Sequence, residues 1–365
     1  MSRLVNEFIE LVEISSETGN EGAIAPILKS KLEELGFSVI EDEAKEKTGF
    51  GAGNLIATKE GNAEQPKLLF SCHMDTVTPG ENIKAVIEGD RIVSQGDTIL
   101  GADDKAGIAA LFEGLRRVFE SGATHGQIQV VITVGEESGL VGAKALDAAL
   151  LDADYGYALD SDGEVGGIVV AAPYQAKLWT TVTGKPAHAG VAPEKGISAI
   201  TVAAKSISAM SLGRIDDETT ANIGRFEGGK ATNIVCPEVH ILSEARSLTE
   251  EKVMAQVEHM VNTFSTTAEQ FGASAETKTE MMYPGFSYSE SEPVVVFAKE
   301  ALEALGLPVS IKRSGGGSDA NILNGLGVPT VILSVGYEEI HTTNEAMPLD
   351  QLEKLAAVVE HLLKK

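Results

Sequence analysis

The chain has 365 residues, 43% of them hydrophobic and 23% charged, which is enough for about two domains that each close an apolar core. A formal net charge of -25 repels phosphate backbones and anionic bilayers, and no basic stretch offsets it, so nucleic-acid and membrane partners are excluded. Cys72 and Cys236 make no disulfide framework, Met1 to Glu7 has no basic-then-apolar leader pattern, and no apolar run approaches ~18 residues, so the expectation is a cytoplasmic protein.

In chain order, Val5, Phe8, Ile9 and Val12, then Ile24, Ile27, Leu28, Leu32 and Leu35, repeat at helical spacing and predict two opening helices. Strands follow at Leu55-Thr58 and Leu68-Phe70, then a turn-rich passage through Pro79-Gly80 and Glu88-Asp90. Gly101-Ala-Asp-Asp-Lys-Ala-Gly107 leads into a helix with Ile108, Leu111, Phe112 and Leu115 on one face. Strands at Ile128-Val134 and Tyr155-Leu159 end in Gly135-Glu136-Glu137 and in Asp160. From Pro173 the character changes to a βαββαβ-like unit, with strands near 178–183, 222–224 and 239–242 and helices around 200–207 and 253–264. Beyond Met281-Gly285 come a helix at 295–305, the run Ser314-Gly-Gly-Gly-Ser-Asp319, an apolar strand at 328–335, His341, and a closing helix at 352–363. The alternation predicts an α/β layered domain interrupted by a small ferredoxin-like α+β domain, with boundaries at 1–175, 176–282 and 283–365.

The chemistry gathers at strand ends, where open α/β sheets place their sites. In Ser71-Cys-His-Met-Asp75, His73 and Asp75 lie two apart on an extended backbone and point to one side, so Asp75 can hold the His73 ring while its other nitrogen faces a metal. An isolated His-x-Asp is more often a histidine beside a turn, but Asp103, Glu136, Glu137, Asp160 and His341 lie in comparable places. Such imidazoles and carboxylates suit zinc, and a shared carboxylate can hold two ions about 3.5–4 Å apart. Adjacent Glu136 and Glu137 face opposite ways on an extended backbone, so one can ligate while the other serves as general base.

The ordered motifs S-C-H-M-D-T-V, G-A-D-D-K-A-G, G-E-E-S-G, A-L-D-S-D-G, G-K-P-A-H-A-G-V-A-P-E-K-G and I-H-T-T-N-E resemble the M20 family of dinuclear zinc peptidases and deacylases, nearest its peptidase T branch. The resemblance spans nearly the whole chain. It implies a layered zinc-exopeptidase-type catalytic domain with an inserted lid domain, and two zinc ions per subunit that cobalt or manganese can replace. His73, Asp103 and Asp160 would bind one ion and Asp103, Glu137 and His341 the other, with Asp75 orienting His73 and Glu136 as base. A cis peptide is implied at Asp103-Asp104. In the lid, His188 corresponds to an oxyanion-stabilising histidine, and Arg246 and Asn233 to substrate contacts, Arg246 suiting a terminal carboxylate. A homodimer through the lid is implied as well. The glycine run centred on Gly316 lacks the GxxxxGK[ST] pattern, so it predicts close backbone approach to substrate rather than a phosphate loop.

The expected activity is hydrolysis of a small peptide in the cleft between domains, as an aminopeptidase or tripeptidase, although the chain is shorter than typical tripeptidases of the family. Aspartate at 160 fits peptidases better than deacylases, and it is preferred to Asp162 because it directly follows the apolar strand. The nearest rival is an N-acyl-amino-acid deacylase or carboxypeptidase of the same family. A non-catalytic metal-binding scaffold would lack Glu136 or a ligand, and none is missing. His125, His240, His259 and His361 read as structural or exposed, and Lys105 as neutralising local carboxylates or beginning its helix.

Overall fold

The computed structural model describes residues 2–364, which fall into two compact units. The first comprises the chain up to Ala171, Tyr288–Ser314 and the part from Ser318; the second comprises Ala172–Ser287 and Gly315–Gly317.

The chain opens with α1 (Arg3–Val12), α2 (Ala25–Glu34), β1 (Ser38–Glu41), α3 (Ala44–Thr48), β2 (Leu55–Lys59) and β3 (Leu68–His73). A hairpin, β4 (Ala85–Glu88) and β5 (Arg91–Ser94), precedes α4 (Ala102–Ser121), β6 (Ile128–Thr133), α5 (Val141–Ala145), β7 (Tyr155–Ser161) and β8 (Gly167–Ala172). The second unit carries β9 (Tyr174–Thr183), α6 (Ala199–Ser208), β10 (Gly213–Arg214), β11 (Thr219–Gly228), β12 (Glu238–Ser247), α7 (Glu250–Gln270), β13 (Ser274–Tyr283) and the two-residue β14 (Phe286–Ser287). The chain then returns with α8 (Pro293–Ala304), β15 (Ser310–Arg313), α9 (Asp319–Gly325), β16 (Thr330–Ser334), β17 (Ala346–Pro348) and α10 (Leu349–Lys364).

In the first unit the main sheet runs β1-β2-β6-β3-β7-β16-β8, with β15 alongside β8. Its centre is parallel: β3 pairs in parallel with β6 and β7, and β7 with β16. Every residue of β3 and β6 is buried, as expected where helices cover both faces of a parallel sheet. Helix α4 lies against α10 so closely that a Cβ on Gly114 would stand 2.6 Å from Val359. Leu111, Phe112 and Leu115 of α4 are fully buried; removing such side chains from water contributes about 1.5–3 kcal/mol each. Behind the sheet, α1 is tied to α4 by Arg3 to Glu113 at 2.8 Å and by Arg116 to Glu7.

The second unit has the sheet order β10-β11-β12-β9-β13, antiparallel throughout. Taking β9, β11, β12 and β13 as its four main strands gives the order 2-3-1-4 with α6 and α7 in the crossovers, the ferredoxin-like arrangement expected from the sequence. Among the described residues no helix is long and apolar enough to cross a membrane.

The structure adds strands that periodicity did not reveal. The passage read as turn-rich contains the β4–β5 hairpin, turning at Glu88–Arg91 and extended by β17 into a sheet of its own. Strands β1, β8 and β15 were likewise unread.

Candidate metal centre

The parallel strands β3, β6 and β7 bring their carboxyl ends to one edge. Ser71 pairs with Ala158, so two residues further along each strand His73 lies beside Asp160; His73 itself pairs with Thr133, three residues before Glu136. Between Thr133 and Glu136 the chain turns at Gly135, at φ +60°. A Cβ there would stand 2.2 Å from the Phe50 ring, so only glycine turns the glutamate pair into the site at this point.

Two imidazoles meet across one carboxylate. His73 Nε2 is 3.0 Å from Asp103 Oδ1 and 3.5 Å from Asp160 Oδ1, while His341 Nε2 is 3.3 Å from Asp103 Oδ2 and 2.9 Å from Glu137 Oε1. Donor atoms of His73, Asp103 and Glu137 lie within 4.8 Å of one another, as do those of His73, Asp104 and Asp160. Asp103 is presented by a non-helical stretch at the start of α4, and the Asp103-Asp104 peptide is cis, the conformation the resemblance implied.

The other face of the His73 ring is fixed. Its Nδ1 lies 3.0 Å from the Asp75 carbonyl and 3.4 Å from Asp75 Oδ1. With Nδ1 engaged there, Nε2 is the ring nitrogen turned toward Asp103 and Asp160. The Asp75 carboxylate also accepts the Glu136 N–H at 2.9 Å, the Glu137 N–H at 3.3 Å and the Thr18 hydroxyl at 2.7 Å. One buried side chain thus joins the ends of β3 and β6.

The electrostatics call for cations. Burial works against a charged His73, yet hydrogen bonds to Asp103, Asp160 and Asp75 raise its pKa well above the ordinary value. Hydrogen bonds to Asp103 and Glu137 push His341 up to about 10. Desolvation raises Asp160 to about 7, and desolvation together with the Asp160 charge carries Glu136 well above the usual carboxylate range. Asp104 is raised by burial, and its Oδ1 has no hydrogen-bond partner. Lys105, fully buried, donates to the Ile14 carbonyl at 2.7 Å; burial lowers it to about 7 while the nearby charges of Glu345 and Asp75 draw it upward. A donor set of imidazoles and crowded carboxylates, one of them placed between two imidazoles, fits a pair of divalent metal ions.

Sequence reasoning assigned no role to several residues here. Asp319, on the first turn of α9, accepts the Thr133 hydroxyl, leaves Oδ1 unpartnered, and is raised by burial to about 6. Glu345 lies buried under Asp103; burial pushes it up to about 7 against the pull of the N–H groups of Asp103, Gly101 and Leu100. Asp319 ends the glycine run from Ser314 and Glu345 ends the I-H-T-T-N-E motif, where only their pattern is visible. Asp162 is exposed and its carbonyl accepts from Lys312.

In the second unit, His188 is exposed and its Nδ1 accepts the Gly190 N–H at 3.2 Å, which puts the proton of the neutral ring on Nε2. Asn233 lies next to it, its carbonyl accepting the Ala189 N–H at 2.9 Å. Arg246 is gripped by Glu244, with Nε to Oε1 at 3.0 Å and Nη2 to Oε2 at 3.3 Å, and its Nη1 donates to the Gly315 carbonyl at 3.1 Å, next to Gly316.

Comparison with known proteins agrees with this geometry. The sequence pattern of Peptidase family M20/M25/M40 matches residues 69–365. The protein YqjE of Bacillus subtilis (strain 168) is 56% identical over 363 residues, covering 100% of this chain and 98% of that protein. The crystal structure of aminopeptidase PepT from Bacillus cereus ATCC 10987 superposes with a TM-score of 0.95 at 56% identity, covering 99% of this chain and 97% of that one. That of a tripeptidase from Staphylococcus aureus subsp. aureus Mu50 gives 0.96 at 53% identity, with the same coverage.

Proposed function

Since the chain belongs to Peptidase family M20/M25/M40, we propose that it is a metal-dependent aminopeptidase acting on small peptides, tripeptides foremost. The observation that carries the reading is Asp103, whose two carboxylate oxygens face His73 on one side and His341 on the other. His73, Asp103 and Asp160 would hold one ion, and Asp103, Glu137 and His341 the other; zinc would suit these donors, with cobalt or manganese as substitutes. When bound, the ions supply Lewis-acid polarisation and a water that loses its proton near neutral pH.

The chain's own residues supply the remaining steps. Asp75 keeps the His73 ring turned with Nε2 inward. Of the glutamate pair, Glu137 meets His341 at 2.9 Å, and Glu136 is the one proposed as the free base. Glu136 takes the proton of the attacking water and delivers it to the leaving amine. His188, with its proton on Nε2, donates to the oxyanion. Arg246, held in one orientation by Glu244, pairs with the peptide's terminal carboxylate, and Asn233 and Gly316 add backbone and amide contacts. The inserted unit is read as a lid, and the protein as a cytoplasmic enzyme that forms a homodimer through it.

Turnover of a panel of di- and tripeptides against N-acetylated amino acids, with zinc, cobalt or manganese added to metal-stripped protein, tests the proposal. Tripeptides should be cleaved from their amino end, and two equivalents of metal should restore activity. Preferential cleavage of acetylated amino acids would replace the aminopeptidase with a deacylase.

A further inference from the structure

We propose that Glu345 is a positioning residue that holds Asp103 and His341 in register by bracing the two loops that carry them. The inference rests on the reading that Asp103 and His341 share a metal ion.

Glu345 is 2% exposed, and its carboxylate accepts three backbone N–H groups from one short stretch: Leu100 at 2.8 Å and Gly101 at 2.7 Å on Oε2, and Asp103 at 3.0 Å on Oε1. That stretch sets the bridging carboxylate, since Asp103 lies outside the regular helix and has no helical hydrogen bond to fix its amide. Glu345 itself closes the loop that contains His341. Its N–H donates to the Thr342 carbonyl at 3.2 Å, and the next residue, Ala346, exchanges hydrogen bonds with Glu338 at 2.9 and 3.1 Å. The loop is therefore pinned at its base, with His341 at its crown in a left-handed conformation, φ +63°. Thus 242 residues separate two ligand-bearing segments that one carboxylate locks together.

The chemistry requires a carboxylate. Both oxygens receive N–H donors, so a glutamine would turn its own NH₂ toward at least one backbone N–H, and no rotation of the amide removes the conflict. An aspartate keeps two acceptors but is one methylene shorter and cannot reach all three donors at these distances.

The test uses full-length protein stripped of metal, titrated with cobalt(II) and followed by visible absorption, for the natural chain, Glu345→Gln and Glu345→Asp. Hydrogen exchange of the peptide covering Leu100 to Asp103 and circular dichroism accompany it. Folded Glu345→Gln should bind cobalt about 10- to 100-fold more weakly, the usual effect of removing a group that orients a ligand. Its Leu100, Gly101 and Asp103 amides should exchange faster, and Glu345→Asp should fall between it and the natural chain. Natural affinity in folded Glu345→Gln overturns the proposal. Should Glu345→Gln not fold, Glu345→Asp decides: natural affinity overturns the brace and weakened affinity supports it, whereas failure of both variants to fold makes Glu345 a fold residue and overturns it as well. A natural chain that takes up no cobalt overturns the metal reading instead, and the brace then stands or falls on whether Glu345→Gln loses amide protection.

Discussion

The two imidazoles of the site are held in opposite ways. His73 is 1% exposed, ends a fully buried central strand, and has its ring backed by Asp75. The side chain of His341 is 49% exposed and rides a loop beyond β16, with Glu137 and Asp103 as its polar neighbours. The sheet fixes one half of the site before any ligand arrives, while the other half depends on loop contacts. The first half should therefore tolerate change poorly in stability, and the second mainly in metal content.

The largest effect expected leaves both halves intact. Glu136→Ala should keep two metal ions per chain and lose about 10²- to 10⁴-fold in kcat, the usual worth of a positioned acid–base group. Metal analysis beside steady-state kinetics checks it, and natural turnover would remove Glu136 from the base role.

The comparison itself breaks or holds on the histidines. His73→Ala leaves Asp103 and Asp160 buried without their partner, so metal-stripped protein should lose about 3–5 kcal/mol of stability as well as its metal. His341→Ala should cost less stability than His73→Ala, because its side chain is half exposed, and should show mainly as lost metal content. Urea unfolding of the two variants measures the gap, and equal losses would mean that sheet and loop hold their ligands alike.

The smallest effect sharpens the comparison from behind the sheet. Burial alone would raise the Glu113 carboxyl, but hydrogen bonds from Arg3 and Arg117 carry its pKa below the ordinary value. A depressed carboxyl contributes stability that is complete above its unfolded pKa and is lost as pH falls through the folded one. The advantage of the natural chain over Glu113→Gln should therefore be steady near neutrality and shrink as the solution becomes more acidic than the ordinary carboxylate pKa of about 4.3. A gap that stays constant down to strong acid would show that this clamp between α1 and α4 does not titrate.

Much of this was legible from local pattern. The strands that present His73, Glu136 and Asp160 are apolar runs ending in charged residues, and the βαββαβ order of the inserted unit follows its periodicity. Short half-exposed strands escaped. Ala85–Glu88 and Arg91–Ser94 have four residues each with charges at their ends, so their alternation is too brief to separate from a turn. The loop supports escaped for another reason. Glu345 and Asp319 act on partners 242 and 186 residues away, a relation that no spacing records. Lys105 stands at the start of α4, as one of its two readings has it, and its partner, the Ile14 carbonyl, is likewise invisible to spacing.

Asp75 has a consequence for selectivity. Because its carbonyl meets the His73 ring while its carboxylate receives the Glu136 and Glu137 amides, the glutamate pair and the first imidazole ride on a single residue. The ends of β3 and β6 are thus linked through one buried residue, and the spacing of Glu136 from His73 is set by the fold. With Glu136 and His73 acting as proposed, discrimination among substrates of different length would fall to groups outside this linked pair.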